Sequence, residues 1–190
     1  MNVEPWIWWA AGAAVVVVIV AAVWLIRRRT RGPLLAQALQ SIAIDRLHDV
    51  LVPDGMGGQI QVEHLLLTAN GVLVIDVKSY EGAIFASDRM EEWTVIGGQG
   101  RFTFPNPQTT LYDRVAALRQ LVRDVPVTGH VLFGANADFS KGRPRDVVLP
   151  AELIERYRKP EKPDLERLLE AFAPHWEQVK AATEPARAAI

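Results

Sequence analysis

Residues 63–78, EHLLLTANGVLVIDVK, form the stretch that decides the fold of this chain. Two apolar runs, 65–67 and 72–75, flank Asn70-Gly71. Asn-Gly is the strongest short-range signal for a β-hairpin, because both residues accept a positive φ in a type I′ turn. The pattern therefore predicts two antiparallel strands joined by a two-residue loop at Asn70 and Gly71.

Three charged residues of the hairpin are predicted to meet at its open end. With that loop, Glu63 lies opposite Lys78, and because side chains alternate between the faces of a strand, Glu63, Asp76 and Lys78 share one face. Two carboxylates placed in this way can hold a divalent metal ion. A Glu63–Lys78 cross-strand ion pair, worth roughly 0.2–1 kcal/mol, explains the same residues without a metal. His64 is expected on the opposite face, as a hydrogen-bonded structural residue.

The rest of the chain indicates an α/β fold. Short apolar or alternating runs predict strands, and apolar residues at helical spacing predict helices. The order of these elements indicates a central mixed β-sheet flanked by helices, with the hairpin strands in its centre because both of their faces are apolar. Strands are expected at 59–67, 71–78, 82–86, 93–96, 101–104, 129–134 and 147–149, a loop at 52–58, and helices at 34–47, 109–124, 151–157 and from an Asp164 cap to Pro174, with a second short helix or tail after it.

The N-terminal region has the pattern of a membrane anchor. Residues 5–26 carry no charge and are long enough to cross a bilayer as a helix. Tryptophans lie near both ends, where amphipathic rings settle at the lipid headgroups. Four arginines follow within 27–31, whereas the short N-terminus at 1–4 holds only Glu4. The positive-inside rule then predicts a single-pass protein of the cell membrane with its N-terminus outside and its domain in the cytoplasm.

The remaining chain is expected to form one domain at 32–158 and a helical extension at 159–190. The 21 Lys and Arg less those four, and the 22 Asp and Glu less Glu4, leave 17 against 21, a net charge near −4. Such a domain has no general attraction to nucleic acid, so phosphate contact needs a local basic patch or a bound cation. The chain has no Cys, and its four His show no HxxxH or HxH spacing. A zinc site made from these residues is therefore not expected.

From Gly32 to about Leu153 the chain resembles the nuclease-related domain (NERD) family, which is grouped with the restriction-endonuclease-like PD-(D/E)XK fold. The resemblance is clearest in VEHLLLTANGVLVIDVKSYEGAI at 62–84. It continues through four short motifs whose order and spacing fit the family, namely Glu92-Trp93, Asn106-Pro107, Ala117-Leu118 and VLF at 131–133.

The resemblance implies a metal-dependent nuclease acting on DNA or RNA. Glu63 takes the place of the family's first metal-binding Asp, Asp76 that of its Glu, and Lys78 that of its Lys. Glu63 and Asp76 would hold Mg²⁺ or Mn²⁺, and Lys78 would orient the attacking water or balance charge. Two features depart from the family: the first helix offers no Glu before Asp45, and Thr110 stands where the family has Gln. A catalytically degenerate binding or scaffold module at the membrane is therefore the alternative. A third acid near Asp76, from Asp45, Asp54 or Asp88, would separate the two.

Two groups of basic residues are candidate phosphate contacts. Arg114 and Arg119 lie on one side of the predicted helix at 109–124, and Lys141 and Arg143 lie in a loop that contains Gly and Pro. The simpler interpretation is a solvated helix face and an ordinary soluble loop. The other use of these residues is to contact a phosphate backbone.

Overall fold

The computed structural model describes residues 34–98 and 100–186. The predicted segments 1–4, 5–26 and 27–31 lie outside the described residues. Within the described ranges, no helix is both long enough and apolar enough to span a bilayer. The chain divides after Gln37, and the unit from Ala38 onwards contains all the described strands.

The described residues form four helices and ten strands. The helices are α1 (residues 34–42), α2 (Pro107–Leu121), α3 (Pro150–Arg156) and α4 (Lys162–Ala182). The strands are β1 (Asp45–Pro53), β2 (Gln59–Thr68), β3 (Gly71–Lys78), β4 (Gly82–Phe85), β5 (Glu92–Gly97), β6 (Gly100–Pro105), β7 (Val127–Phe133), β8 (Ala137–Asp138), β9 (Val147–Val148) and β10 (Glu184–Pro185).

These strands form two sheets, which confirms a mixed α/β fold. The larger sheet has the order β10-β1-β2-β3-β7-β9, and in it β7 runs parallel to both β3 and β9. The smaller sheet has the order β6-β5-β4-β8. The prediction of one central sheet was wrong, because β4, β5 and β6 pair with one another as a short antiparallel meander.

The hairpin strands lie in the middle of the larger sheet and are covered on both faces, as predicted. On one face, Leu65 and Val74 belong to the same core as Leu111 of α2. On the other face, Leu66 and Leu73 are also buried. Full burial of such a side chain stabilises the fold by roughly 1.5–3 kcal/mol. The apolar runs on either side of the turn therefore supply much of the core.

The turn of the hairpin lies one residue earlier than predicted. Thr68 pairs with Gly71, so that Ala69 and Asn70 are the two loop residues. The Thr68 hydroxyl donates to the Gly71 carbonyl over 2.9 Å and accepts from the Asn70 amide. Gly71 has φ +107°, and a Cβ there would lie 2.3 Å from the Pro126 carbonyl oxygen. Glycine is thus required at the first residue of β3 rather than inside the loop.

This turn moves the strand register by two residues. Val72 pairs with Leu67 rather than with Ala69, and the predicted position of Glu63 opposite Lys78 was wrong. A shift of two residues, unlike a shift of one, leaves every side chain of β3 on its predicted face. Asp76 and Lys78 therefore still share one face of the strand.

The predicted helix at 34–47 ends five residues early. Residue 42 is the last helical residue, and Asp45–Pro53 forms the long strand β1. Leu47, which fits a helical spacing, pairs instead with Leu65 of β2, and Pro53 pairs with Gln59 where a loop was expected. The pairing of β1 with β2 from one end of β1 to the other therefore outweighs the helical spacing of the apolar residues in this segment.

Helix α4 continues past Pro174, although Pro174 was predicted to end a helix. Proline in a helix interior costs about 3 kcal/mol. Beyond it, however, Trp176 and Val179 are buried, and the Trp176 indole donates to Asp45 over 2.8 Å. These contacts offset the cost. The N-cap position is Glu161, whose side chain makes no capping hydrogen bond, and the predicted cap Asp164 lies within the first turn.

Candidate functional site

The end of β3, the end of β6 and the first turns of α2 line an open pocket of about 240 Å³. Asp76 and Lys78 reach it together because residues two apart share a strand face. Thr110 and Arg114 reach it together because residues four apart share a helix face. The lining residues are Asp76, Lys78, Tyr80, Phe104, Pro105, Asn106, Pro107, Thr110 and Arg114.

Asp76 is held between two cations in this pocket. Its side chain is only 8% exposed. The Lys78 Nζ lies 2.8 Å from Oδ1, and the Arg114 Nη1 lies 3.2 Å from Oδ2. Arg114 is fixed further by an Nε–H bond of 2.7 Å to the Gln61 carbonyl. One carboxylate and two cations leave an excess positive charge, so the pocket is suited to an anion such as a phosphate.

The start of α2 is held in place by a polar network. The Asn106 side chain accepts a hydrogen bond from the Gln108 amide and so caps the helix. The buried Gln108 side chain donates to Asp88 over 3.0 Å and to the Tyr112 hydroxyl. Tyr112 donates to Asp146 over 2.7 Å, and partial burial together with this bond raises the pKa of Tyr112 to about 12. The network sets the position of the helix that presents Arg114.

Glu63 lies outside this pocket lining and contacts a histidine instead. Its Oε1 is 3.6 Å from Nε2 of His64, so the expectation that these two side chains lie on opposite faces was wrong. The face alternation breaks at this point, because Val62 and Leu65, three residues apart, belong to the same core. Burial lowers the pKa of His64 below its usual value, and the Glu63 charge opposes that shift.

The three residues that were candidates for a third acid near Asp76 all accept hydrogen bonds from other groups. Asp45 accepts from Trp176, which lowers the pKa of Asp45. Asp54 accepts from two amides of its own loop, and Asp88 accepts from Gln108 and from the Arg145 amide. Within residues 34–98 and 100–186, none of the three acids lines the pocket around Asp76.

The other basic candidates lie away from this pocket. The Arg119 guanidinium donates to the Val127 carbonyl, and Arg143 forms a 2.6 Å ion pair with Glu152. Lys141 is exposed. Arg114, by contrast, is mostly buried against Asp76, so its assignment to a solvated helix face was wrong. In the sequence, Arg114 is one of several basic residues on the predicted helix and a candidate phosphate contact, and no local pattern indicates that Asp76 is its partner.

The protein-family model of the nuclease-related domain matches residues 34–134 of the sequence, more than half of the chain. The chain belongs to the nuclease-related domain (NERD) family. An uncharacterized protein of Bacillus anthracis is 32% identical over 76 residues, which are 40% of this chain and 36% of that protein. The chain thus matches little more than a third of the length of this relative. No solved structure matches.

The NERD match divides the candidate residues into two groups. It includes Glu63, Asp76 and Lys78, together with Arg114 of α2. It ends at Gly134, before the basic loop, α3 and α4. The pocket around Asp76 is therefore built entirely from the part of the chain that defines the family.

Proposed function

We propose that this NERD domain engages the phosphodiester backbone of DNA or RNA in the pocket around Asp76 and hydrolyses it with the help of Mg²⁺ or Mn²⁺. The observation that supports this most is the convergence of Asp76, Lys78 and Arg114 in one pocket of the family-defining region. Nuclease-like function is what membership of the family suggests, and the metal requirement is our proposal.

The chain's own cations would position the substrate. A phosphodiester oxygen entering the pocket competes with Asp76 for the N–H groups of Lys78 and Arg114. Charge-assisted hydrogen bonds of this kind are about twice as strong as neutral ones. Lys78, the more exposed of the two cations at 26%, is the one proposed to orient the attacking water or to balance the charge that develops on the phosphate. Arg114, tied also to Gln61, would act as the fixed anchor.

Asp76 offers a hard cation one carboxylate, for which the ion would compete with Lys78 and Arg114. Mg²⁺ in phosphate-handling sites takes one or two protein carboxylates and fills its other positions with waters and phosphate oxygens. Asp76 supplies one carboxylate at the pocket. Glu63, the predicted second ligand, faces His64 instead, so waters and phosphate oxygens would fill the remaining positions. The ion would polarise the phosphate and lower the pKa of a bound water.

Because Asp45, Asp54 and Asp88 bind other groups, the geometry also favours a second function, a catalytically degenerate binding or scaffold module. Both oxygens of Asp76 already face a cation, at 2.8 Å and 3.2 Å. Among the described residues, no further carboxylate lines this pocket. A site arranged in this way can hold a phosphate without a metal and without cleaving it.

A cleavage assay separates the two functions. Full-length protein is incubated with labelled single- and double-stranded DNA and RNA, with Mg²⁺, with Mn²⁺, and with a chelator. A nuclease gives fragments that disappear with chelator, and Lys78→Ala lowers their rate by about 10²–10³-fold. The matched control is Arg123→Ala, which removes an exposed cation near the end of α2. Binding without cleavage of any substrate selects the scaffold function, and neither binding nor cleavage rejects both.

We also propose that the protein is anchored in the cell membrane by residues 5–26, with the NERD domain on the cytoplasmic side. This proposal follows from the uncharged segment and the arginines at 27–31. The test is extraction of cell membranes with alkaline carbonate, followed by protease treatment of intact and opened cells. Release of the protein by carbonate, or digestion of the domain in intact cells, would contradict it.

A further inference from the structure

Two histidines that are distant in the sequence face each other across β1 and β2. His48 and His64 are direct partners in the antiparallel ladder. Their rings meet edge-on, with centroids 4.7 Å apart and an interplanar angle of 68°. Directly opposed residues bring their Cβ atoms to within about 4.5–5.5 Å of each other. Two imidazoles are therefore placed where they can share one small ligand.

Glu63 joins this pair because the two strands are interrupted here. Asp49, the residue after His48, has φ +53°, and the ladder passes from the His48–His64 pair to the Val50–Val62 pair without pairing Asp49 with Glu63. In a regular strand, Glu63 and His64 would point to opposite faces. Here the Glu63 Oε1 lies 3.6 Å from Nε2 of His64. The interruption thus brings a carboxylate to the histidine pair.

The three side chains come near to the separation that a metal site needs. One ligand atom from each of His48, Glu63 and His64 lies within 4.8 Å of the other two. In a tetrahedral zinc site with bonds of about 2.0–2.2 Å, ligand atoms are about 3.4 Å apart, so these atoms need to close by at most roughly 1.4 Å. His48 and Glu63 are exposed and have room to rotate.

We propose that His48, Glu63 and His64 bind a divalent transition-metal ion of the zinc class. Imidazole nitrogen suits zinc, copper and nickel, whereas Mg²⁺ prefers oxygen donors, so this site differs in chemistry from the pocket around Asp76. Three protein ligands leave the fourth tetrahedral position to water or an anion. The exposure of His48 and Glu63 keeps that position open to solvent.

Metal titration of the full-length protein tests the site. Protein freed of metal by dialysis is titrated with Zn²⁺ alone and with Co²⁺ alone, and bound metal and the visible absorption of Co²⁺ are measured. The wild type should bind about one ion per chain with the intense absorption of a four-coordinate site. His48→Ala and Glu63→Ala should raise Kd by more than the roughly 10–100-fold that loss of an outer-shell partner costs.

A control variant defines what the titration shows. His175→Ala removes an imidazole of α4 that lies outside the group, and it should bind zinc as the wild type does. If His48→Ala and His175→Ala bind zinc equally, or if the wild type binds none, the three residues form only a ring contact and an ion pair, and the proposal is wrong.

A stability measurement guards against misfolded variants. Zinc that binds only the folded chain stabilises it by RT ln(1 + [Zn²⁺]/Kd), so zinc should raise the melting temperature of the wild type. His48→Ala, at an exposed position, should melt without metal as the wild type does and should show no rise with zinc. An equal rise in both proteins would place the zinc elsewhere and overturn the assignment.

Discussion

Arg114→Ala should destabilise the protein, because Arg114 neutralises a buried carboxylate. The substitution removes a 3.2 Å charged hydrogen bond to Asp76, whose side chain is 8% exposed, and a 2.7 Å bond to the Gln61 carbonyl. Hydrogen bonds to charged groups contribute about 1.5–3 kcal/mol. Lys78 remains beside Asp76, so the loss stays below the roughly 3–5 kcal/mol of a buried pair left uncompensated. We expect a loss of about 2–3 kcal/mol.

The assay is urea unfolding at pH 7, monitored by circular dichroism, with thermal unfolding alongside. For a chain of this size, the expected loss corresponds to a fall in melting temperature of roughly 4–12 °C. The control is Arg123→Ala, an exposed substitution that should stay within about 0.5 kcal/mol of the wild type. If Arg114→Ala is no more destabilising than Arg123→Ala, the proposed role of Arg114 is refuted.

A double-mutant cycle then isolates the contact itself. Asp76→Asn, Arg114→Ala and their combination are compared with the wild type by the same unfolding assay. Residues in direct contact show coupling energies of about 0.5–3 kcal/mol. Additive losses would mean that Arg114 stabilises the fold independently of Asp76, through its bond to the Gln61 carbonyl and through packing.

Two further predictions concern the hairpin turn and the stability of the protein at low pH. Gly71→Ala should cost more than about 1 kcal/mol, because its Cβ would lie 2.3 Å from the Pro126 carbonyl oxygen. Gly57→Ala, also at positive φ but with no described atom within 4 Å of its Cβ, should melt higher than Gly71→Ala; equal melting temperatures would contradict the clash. The Trp176 hydrogen bond lowers the pKa of Asp45 below 3.8, so the Asp45 carboxylate stabilises the fold above that value and loses this effect as pH falls through the lowered pKa. The melting-temperature gap between wild type and Asp45→Ala should therefore shrink as the pH is lowered below 3.8, and an unchanged gap would show that the pKa is not lowered.

Local patterns predicted the elements of this fold better than their pairing. The strands β2 and β3 follow from two apolar runs around a turn signal, and this information is complete within about twenty residues. The register depends on Thr68 and Pro126 as well, since Thr68 bonds to the Gly71 carbonyl and the Val72 amide bonds to the Pro126 carbonyl. Pro126 is distant in the sequence, so no local pattern could indicate it.

The candidate site shows the same division. Asp76 and Lys78 were chosen as candidates from their place at the end of an apolar strand. The error in the predicted register does not change the face that they share. Arg114 lies on a helix far along the chain, and only the packing of α2 on the sheet brings it to Asp76. His48 and His64 have no spacing motif, since the ladder between β1 and β2 is what places them together.

Binding of nucleic acid in the presence of a chelator tests most directly the claim that the pocket around Asp76 engages a phosphodiester. Fluorescence anisotropy of a labelled oligonucleotide is followed over a series of salt concentrations for wild type, Lys78→Ala and the Arg123→Ala control. Loss of one phosphate contact should weaken binding at every sequence and reduce the salt slope by about one, and we predict this for Lys78→Ala alone. Equal affinity and slope in all three proteins would contradict the account.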